Sequence, residues 1–112
     1  MNDRDLSRLK LMYDFAKRIE RRIDGVSLET FLKNVDVQDA VLFAIGHIGE
    51  CANEMSNETK ELYYDIAWQP LIGIRNRVFH SYGDVDMRIV YKAAAEHTTL
   101  LIEQLEAIGG VL

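Results

Sequence analysis

Residues 75–82, with the sequence RNRVFHSY, carry the side chains of this chain that best suit chemistry. Arg75 can hold a phosphate oxygen through paired N–H donors, and His80 can give and take protons near neutral pH. Asn76 and Tyr82 add neutral hydrogen-bonding groups within the same two helical turns. This set of side chains indicates chemistry on a phosphodiester.

The spacing within this motif limits how its side chains can meet. On an ideal helix, with roughly 100° per residue, Asn76 and His80 lie one turn apart on one face. Arg75 and His80 are about 140° apart by the same geometry, so one regular helix would not aim both at one phosphate. Either the helix breaks near Ser81, or two copies of the motif combine across a dimer. We favour the dimer.

The composition predicts one folded helical domain over residues 1–112. Of its residues, 48% are hydrophobic and 28% charged, with one proline, which is typical of a globular helical protein. The net charge of −5 argues against a protein that coats nucleic acid, but it allows a local basic site around the motif. The basic face of the first predicted helix, which includes Arg18, Arg21 and Arg22, is interpreted as a solvated face, with docking of RNA or a protein partner as the alternative.

Several classes of protein are disfavoured by what the sequence lacks. Cys51 is the only cysteine, and no Cys/His ligand pattern occurs, so we expect no disulfide, no metal and no cofactor. No apolar run is long enough to cross a membrane, and the start MNDRDLSRLK does not look like a targeting segment. We therefore expect a cytoplasmic protein. His47 and His97 lie among apolar residues and are expected to be packing histidines.

The apolar periodicity predicts an all-α protein, an up-and-down bundle of four main helices plus one or two short ones. Short helices are expected after the capping residues Ser27 and Ser56 or Asn57. The four main helices are predicted over residues 3–24, from Asp36 or a neighbour to about residue 55, from Pro70 through the motif to Gly83, and from Asp84 or Asp86 to Gly109 and Gly110.

The second main helix is apolar on more than one face. This pattern predicts burial on two sides, by the core and by a partner chain. Gly46 and Gly49 would permit a close helix crossing there.

The motif and its surroundings resemble the HEPN domain family, specifically the HepT-type toxins that are paired with minimal nucleotidyltransferase (MNT) antitoxins. Ser81 stands where family members often carry glycine. The likeness spans most of the chain and covers Ile48, Gly49, Glu50, Trp68, Pro70, Arg75, Asn76, His80, Tyr82, Gly83, Asp84, Val85 and Asp86.

This resemblance implies a homodimeric, metal-independent endoribonuclease of a type VII-like toxin–antitoxin system. The expected catalytic residues are Arg75, Asn76 and His80, in a cleft formed by the two motifs. His80 would take the proton of a ribose 2′-hydroxyl or protonate the leaving 5′-oxygen, while Arg75 stabilises the phosphorane. The MNT partner would transfer AMP to Tyr82 and thereby block the cleft by bulk and like charge. Assembly beyond the dimer and the class of RNA stay open.

Other interpretations of these residues stay open. Glu50 and Arg77 are candidate supporting residues, and Glu50 either orients Arg75 or His80 or forms a purely structural ion pair. Tyr82 could be an ordinary packed ring. The chain could also be a non-catalytic helical subunit that binds and assists a nucleotidyltransferase, or a plain dimeric scaffold.

Overall fold

The computed structural model describes residues 1–80 and 85–111, and these residues form helices and turns without a strand. This confirms the predicted all-α bundle. The last main helix continues without interruption through three parts, of which the middle one is π-helical. In chain order the elements are α1 (Asp3–Ile23), α2 (Leu28–Lys33), α3 (Val35–Glu54), α4 (Asn57–Leu62), α5 (Trp68–His80), α6 (Met87–Lys92), the π segment (Ala93–His97) and α7 (Thr98–Glu106).

Polar side chains at the helix starts account for the element bounds. Ser27 and Ser56 each accept a hydrogen bond from the backbone N–H three residues on, as N-caps do. Asn34 caps α3, next to the predicted region of Asp36, and Asp86 caps α6. The predicted helix end at Gly83, like Ser81, Tyr82 and Asp84, lies outside the described residues.

The central helix α3 packs between α1 and α5. Its buried residues are Val41, Leu42, Ala44, Ile45, Gly46, Ile48, Gly49, Cys51 and Ala52. The predicted burial on two sides is therefore produced within a single chain, since α1 covers one side and α5 the other. The apolar pattern of α3 gives no separate support for a dimer.

Gly46 and Gly49 bring α5 close to α3, as predicted. A Cβ atom on Gly49 would lie 2.2 Å from the Cβ of Arg75 and 2.6 Å from the carbonyl oxygen of Leu71. A Cβ on Gly46 would lie 2.7 Å from a ring carbon of Phe79. Both distances are far below ordinary contact, so only glycine permits this crossing. The crossing seats the first residue of the motif directly on α3.

The π segment was not predicted. The buried residues Val90, Ala94, Thr98 and Ile102 recur four apart, because a π turn contains more residues than the 3.6 of an α turn. The hydroxyl of Thr98 donates to the carbonyl of Ala93 over 3.4 Å, five residues back.

Asp5 joins the first turn of α1 to the start of α4. Its carboxylate is fully buried and accepts hydrogen bonds from the Ser56 hydroxyl, the Ser56 N–H at 3.3 Å, and the Thr59 hydroxyl at 2.5 Å. Arg8 adds an ion pair at 3.3 Å. Burial acts to raise the pKa of Asp5, but these hydrogen bonds outweigh it, so that the pKa lies below the ordinary value of 3.8.

Candidate active site

Arg75 is held in a fixed position by residues of α3 and α5. Its Nε and Nη2 atoms lie 2.9 Å and 2.8 Å from the same carboxylate oxygen of Glu50. Its Nη1 donates to the side-chain oxygen of Asn76 over 2.6 Å. The structure thus brings together three of the predicted site residues. Glu50 follows Gly49, so the close helix crossing also places this carboxylate beside the guanidinium.

The remaining donors of Arg75 are available to a ligand. A guanidinium carries five N–H donors, and within the described residues three are engaged by Glu50 and Asn76. The side chains of Arg75 and Glu50 are 21% and 32% exposed, so solvent or a substrate can reach the pair. An arginine held in this way can present the two remaining N–H groups to a phosphate without first losing its own freedom of motion.

Phe79 is a further neighbour of Arg75, which the sequence analysis missed. Its ring centroid lies 5.6 Å from the central carbon of the guanidinium, within range of a cation–π contact. The ring is 47% exposed, and one edge sits on Gly46. The position of Phe79 four residues after Arg75 on a helix was the available signal.

His80 lies apart from this group. It is the last residue of α5, is exposed, and follows a helix that runs regularly from Trp68. The helix therefore keeps Arg75 and His80 about 140° apart around its axis, as ideal geometry requires. Arg77 is also exposed on α5. Tyr82, the predicted site of modification, is outside the described residues.

Nearby groups that could compete as nucleophiles or bases do not suit those roles. Cys51 is buried on α3, and burial, with a smaller effect from Glu54, raises the pKa of its thiol to about 11. A thiol in that state is a poor nucleophile at neutral pH. Among the described residues, no group of three or more His, Cys, Asp or Glu side chains is placed to hold a metal ion.

The other two histidines have different surroundings. His47 stacks on Phe15 with ring centroids 5.2 Å apart, and its ring is 4.5 Å from that of Phe43, so its predicted packing role is confirmed. His97 is exposed at the end of the π segment. The packing prediction for His97 is wrong, because the π turn directs the next residue, Thr98, into the core instead.

The described helices include none that is long and apolar enough to span a membrane.

Comparison with known proteins connects this site to RNA-cleaving proteins. Residues 12–108 match the family model described as "Ribonuclease HepT-like". A relative from Thermococcus cleftensis named "Probable ribonuclease HepT" is 30% identical over 90 residues, which cover 80% of this chain and 82% of the relative. A relative from Methanocaldococcus jannaschii, named provisionally as an RNase, is 23% identical over 96% of this chain and the whole of its own length. No solved structure matches the chain significantly.

Proposed function

Because the chain belongs to the HepT-like ribonuclease family, we propose that it is an endoribonuclease that cleaves RNA without a metal ion and acts as the toxin of a toxin–antitoxin pair in the cytoplasm. The observation that carries this proposal is the guanidinium of Arg75, held by Glu50 and Asn76 at a solvent-accessible surface. A positively charged group fixed in this manner suits the stabilisation of a phosphorane, because charge that is already in place needs no reorganisation during the reaction.

The proposed reaction is an internal transesterification. His80 takes the proton from a ribose 2′-hydroxyl, and the 2′-oxygen forms a bond to the adjacent phosphorus. The bond from phosphorus to the 5′-oxygen breaks, and His80 of the partner subunit gives that oxygen a proton. Arg75 neutralises the charge on the phosphorane, and the amide of Asn76 orients the phosphate or His80. The products are a 2′,3′-cyclic phosphate and a 5′-hydroxyl. DNA, which lacks the nucleophile, is not cut.

A homodimer is part of this proposal. Arg75 and His80 diverge around α5, so they would converge on one phosphate if they came from different subunits. Phe79 lies between them in sequence and leaves 47% of its surface exposed, which is apolar area that a second subunit could cover. The two motifs would then form a single cleft.

Regulation by AMP transfer to Tyr82 from an MNT nucleotidyltransferase is the second part of this proposal. Tyr82 follows His80 by two residues, which span at most roughly 7 Å of chain. An AMP group on the tyrosine hydroxyl would thus add its bulk and negative charge close to the proposed base. RNA would be repelled from the cleft until the group was removed.

The test is incubation of purified protein without AMP, verified by intact mass, with total RNA in EDTA. His80→Ala serves as the inactive variant, and His97→Ala serves as a matched control at an exposed histidine away from the motif. Cleavage by wild type and His97→Ala, but not by His80→Ala, with cyclic phosphate ends, is the expected result. If the unmodified wild type leaves RNA intact, the ribonuclease proposal is wrong, and a non-catalytic subunit that binds and assists a nucleotidyltransferase becomes the better explanation.

A further inference from the structure

A groove of about 520 Å³ lies between the second half of α1 and the first half of α3, away from the Arg75 group. Three arginines, Arg18, Arg21 and Arg22, line it, and no acidic side chain lines it among the described residues. The whole chain carries a net charge of −5. This groove is therefore a local concentration of positive charge on an acidic protein.

The arginines of the groove differ in their contacts. Arg18 pairs with Asp14 at 2.8 Å and lies over the ring of Phe15 at 4.8 Å. Arg21 and Arg22 are exposed, and the described part of the chain supplies neither with an ion-pair partner. The negative end of the α1 dipole favours cations in its last turn, which accounts for their presence on this helix. It does not account for the exposed aromatic ring that lies beside them.

That ring belongs to Phe43, which lines the groove from α3 and is 58% exposed. It is held by two neighbouring rings, with centroids 4.5 Å away for His47 and 6.0 Å away for Phe15. A fixed aromatic face next to cations is the combination with which proteins bind single-stranded nucleic acid, because bases stack on the ring while the cations contact phosphates.

The groove is connected to the Arg75 group along α3. Phe43, His47 and Glu50 are spaced at four and three residues and so follow one face of this helix. Seven residues of helix correspond to roughly 10 Å. Because Glu50 contacts Arg75, a single RNA strand with one phosphate at Arg75 could extend along this face into the groove.

We infer that the groove of α1 and α3 binds the RNA strand outside the cleavage site, with Arg21 and Arg22 on phosphates and Phe43 stacked on a base. This inference rests on the proposed function, because it names where the substrate of the same site is held. It also explains how an acidic protein can bind a polyanion. The groove supplies affinity for RNA in general, and the motif supplies the chemistry.

The experiment measures binding of a fluorescent 2′-O-methyl oligoribonucleotide of 12 nucleotides, which cannot be cut because it lacks the free 2′-hydroxyl. The double variant Arg21→Ala/Arg22→Ala is compared with Arg4→Ala/Lys10→Ala, which removes the same charge from exposed positions of α1 outside the groove. Thermal melting of each variant confirms that it is folded.

The groove variant is expected to bind about tenfold more weakly than the control variant in moderate salt. Its dependence of log Kd on log salt should be shallower by about 1.4, because each lost phosphate contact on a single strand removes about 0.7. Phe43→Leu, which keeps an apolar side chain but removes the ring, is expected to weaken binding at least about fivefold.

Equal affinity and equal salt dependence in the groove and control variants would overturn the inference, as would absence of binding by the wild type. Normal RNA binding together with loss of AMP transfer by a nucleotidyltransferase would assign the groove to a protein partner and also overturn it. Failure of the ribonuclease proposal is recognised separately, since the oligonucleotide assay does not depend on cleavage.

Discussion

Arg75 is restrained by side chains that act on different parts of its guanidinium. Glu50 binds Nε and Nη2, Asn76 binds Nη1, and Phe79 lies against the face of the group. An unrestrained arginine on a surface helix would lose rotamer freedom when it bound a phosphate. Here that loss is incurred on folding. Glu50 is thus a positioning residue, although its negative charge also lowers the positive potential that a phosphate meets.

Replacement of Glu50 tests whether this restraint matters for cleavage. In Glu50→Gln the hydrogen bonds to Arg75 lose their charge on the acceptor, and we expect kcat to fall roughly 10- to 100-fold, corresponding to the loss of charge-assisted hydrogen bonds. KM should change much less, because the phosphate can still reach Arg75. Steady-state kinetics on a defined RNA measure both constants.

Glu61→Gln is the matched control, since Glu61 is exposed on α4. A large drop in melting temperature of Glu50→Gln, with kcat unchanged, would instead identify the Glu50–Arg75 pair as purely structural.

The limits of prediction at this scale come from tertiary contacts. The types of Arg75, Asn76 and His80 in one short segment are visible in the sequence and indicate phosphodiester chemistry. The partner of Arg75 is 25 residues away, and nothing local selects Glu50 over other acidic residues. Only the crossing of α3 and α5 decides that pairing, and the role of Glu50 was accordingly left open.

The crossing of α3 and α5 is the structural element on which the site depends. Gly49→Ala would place a methyl group 2.2 Å from the Cβ of Arg75 and 2.6 Å from a backbone oxygen, and neither atom is the mobile end of a side chain. The helices must separate, which we expect to cost about 1 to 3 kcal/mol in unfolding free energy. Cleavage should fall as well, since Arg75 moves away from Glu50.

Gly73→Ala supplies the matched comparison on α5. A Cβ atom at Gly73 meets nothing within 4 Å, and alanine favours a helix over glycine by about 1 kcal/mol. This variant should be more stable than the wild type, in opposition to Gly49→Ala. Urea unfolding of the three proteins gives the comparison. Equal stability of the two alanine variants would mean that the close crossing does not constrain the helices.

Element bounds were largely predictable, because capping residues and glycines act locally. Ser27 and Ser56 mark the short helices, and Gly46 and Gly49 mark the crossing. The π segment was not predictable in the same way. Its wide turn depends on how Ala94 and Thr98 pack against the rest of the bundle, and apolar periodicity does not separate a π turn from an irregular α pattern.

At the scale of the whole molecule, the buried Asp5 makes stability depend on pH. Its pKa is lowered in the folded protein, so the unfolded chain binds the proton more readily. Its stabilising contribution is present above about pH 4, the region of the unfolded pKa, and is lost as pH falls through the folded pKa. This carboxylate ties α1 to α4 through Ser56 and Thr59, so its protonation weakens the whole bundle.

Asp5→Asn should therefore destabilise the protein by about 1 to 3 kcal/mol at pH 7, since an amide cannot accept all of the same hydrogen bonds. The difference from wild type should shrink at pH 3, where the wild-type carboxylate is itself being protonated. Urea unfolding at both pH values measures it, with the exposed Asp3→Asn on the same helix as the control. The same difference at both pH values would show that ionisation of Asp5 does not contribute.

The proposed dimer has consequences that no single chain can show. The regular helix α5 separates Arg75 from His80, so Arg75→Ala and His80→Ala should complement each other when subunits are mixed. Each variant alone would lack all copies of one essential group and lose on the order of 10² to 10⁴ in rate. Mixed dimers retain one Arg75 and one His80 in the shared cleft, so activity should rise at least roughly tenfold above either variant alone.

Subunits can be exchanged by co-expression, with the dimer isolated by two different tags and its mass measured by light scattering. A mixture of Arg75→Ala with the double variant Arg75→Ala/His80→Ala is the control, because no combination of these chains restores Arg75. If each subunit carried a complete site of its own, every subunit of a mixed dimer would still lack one group, and mixing would not raise the activity. An increase only in the complementary mixture therefore distinguishes a shared cleft from two independent sites.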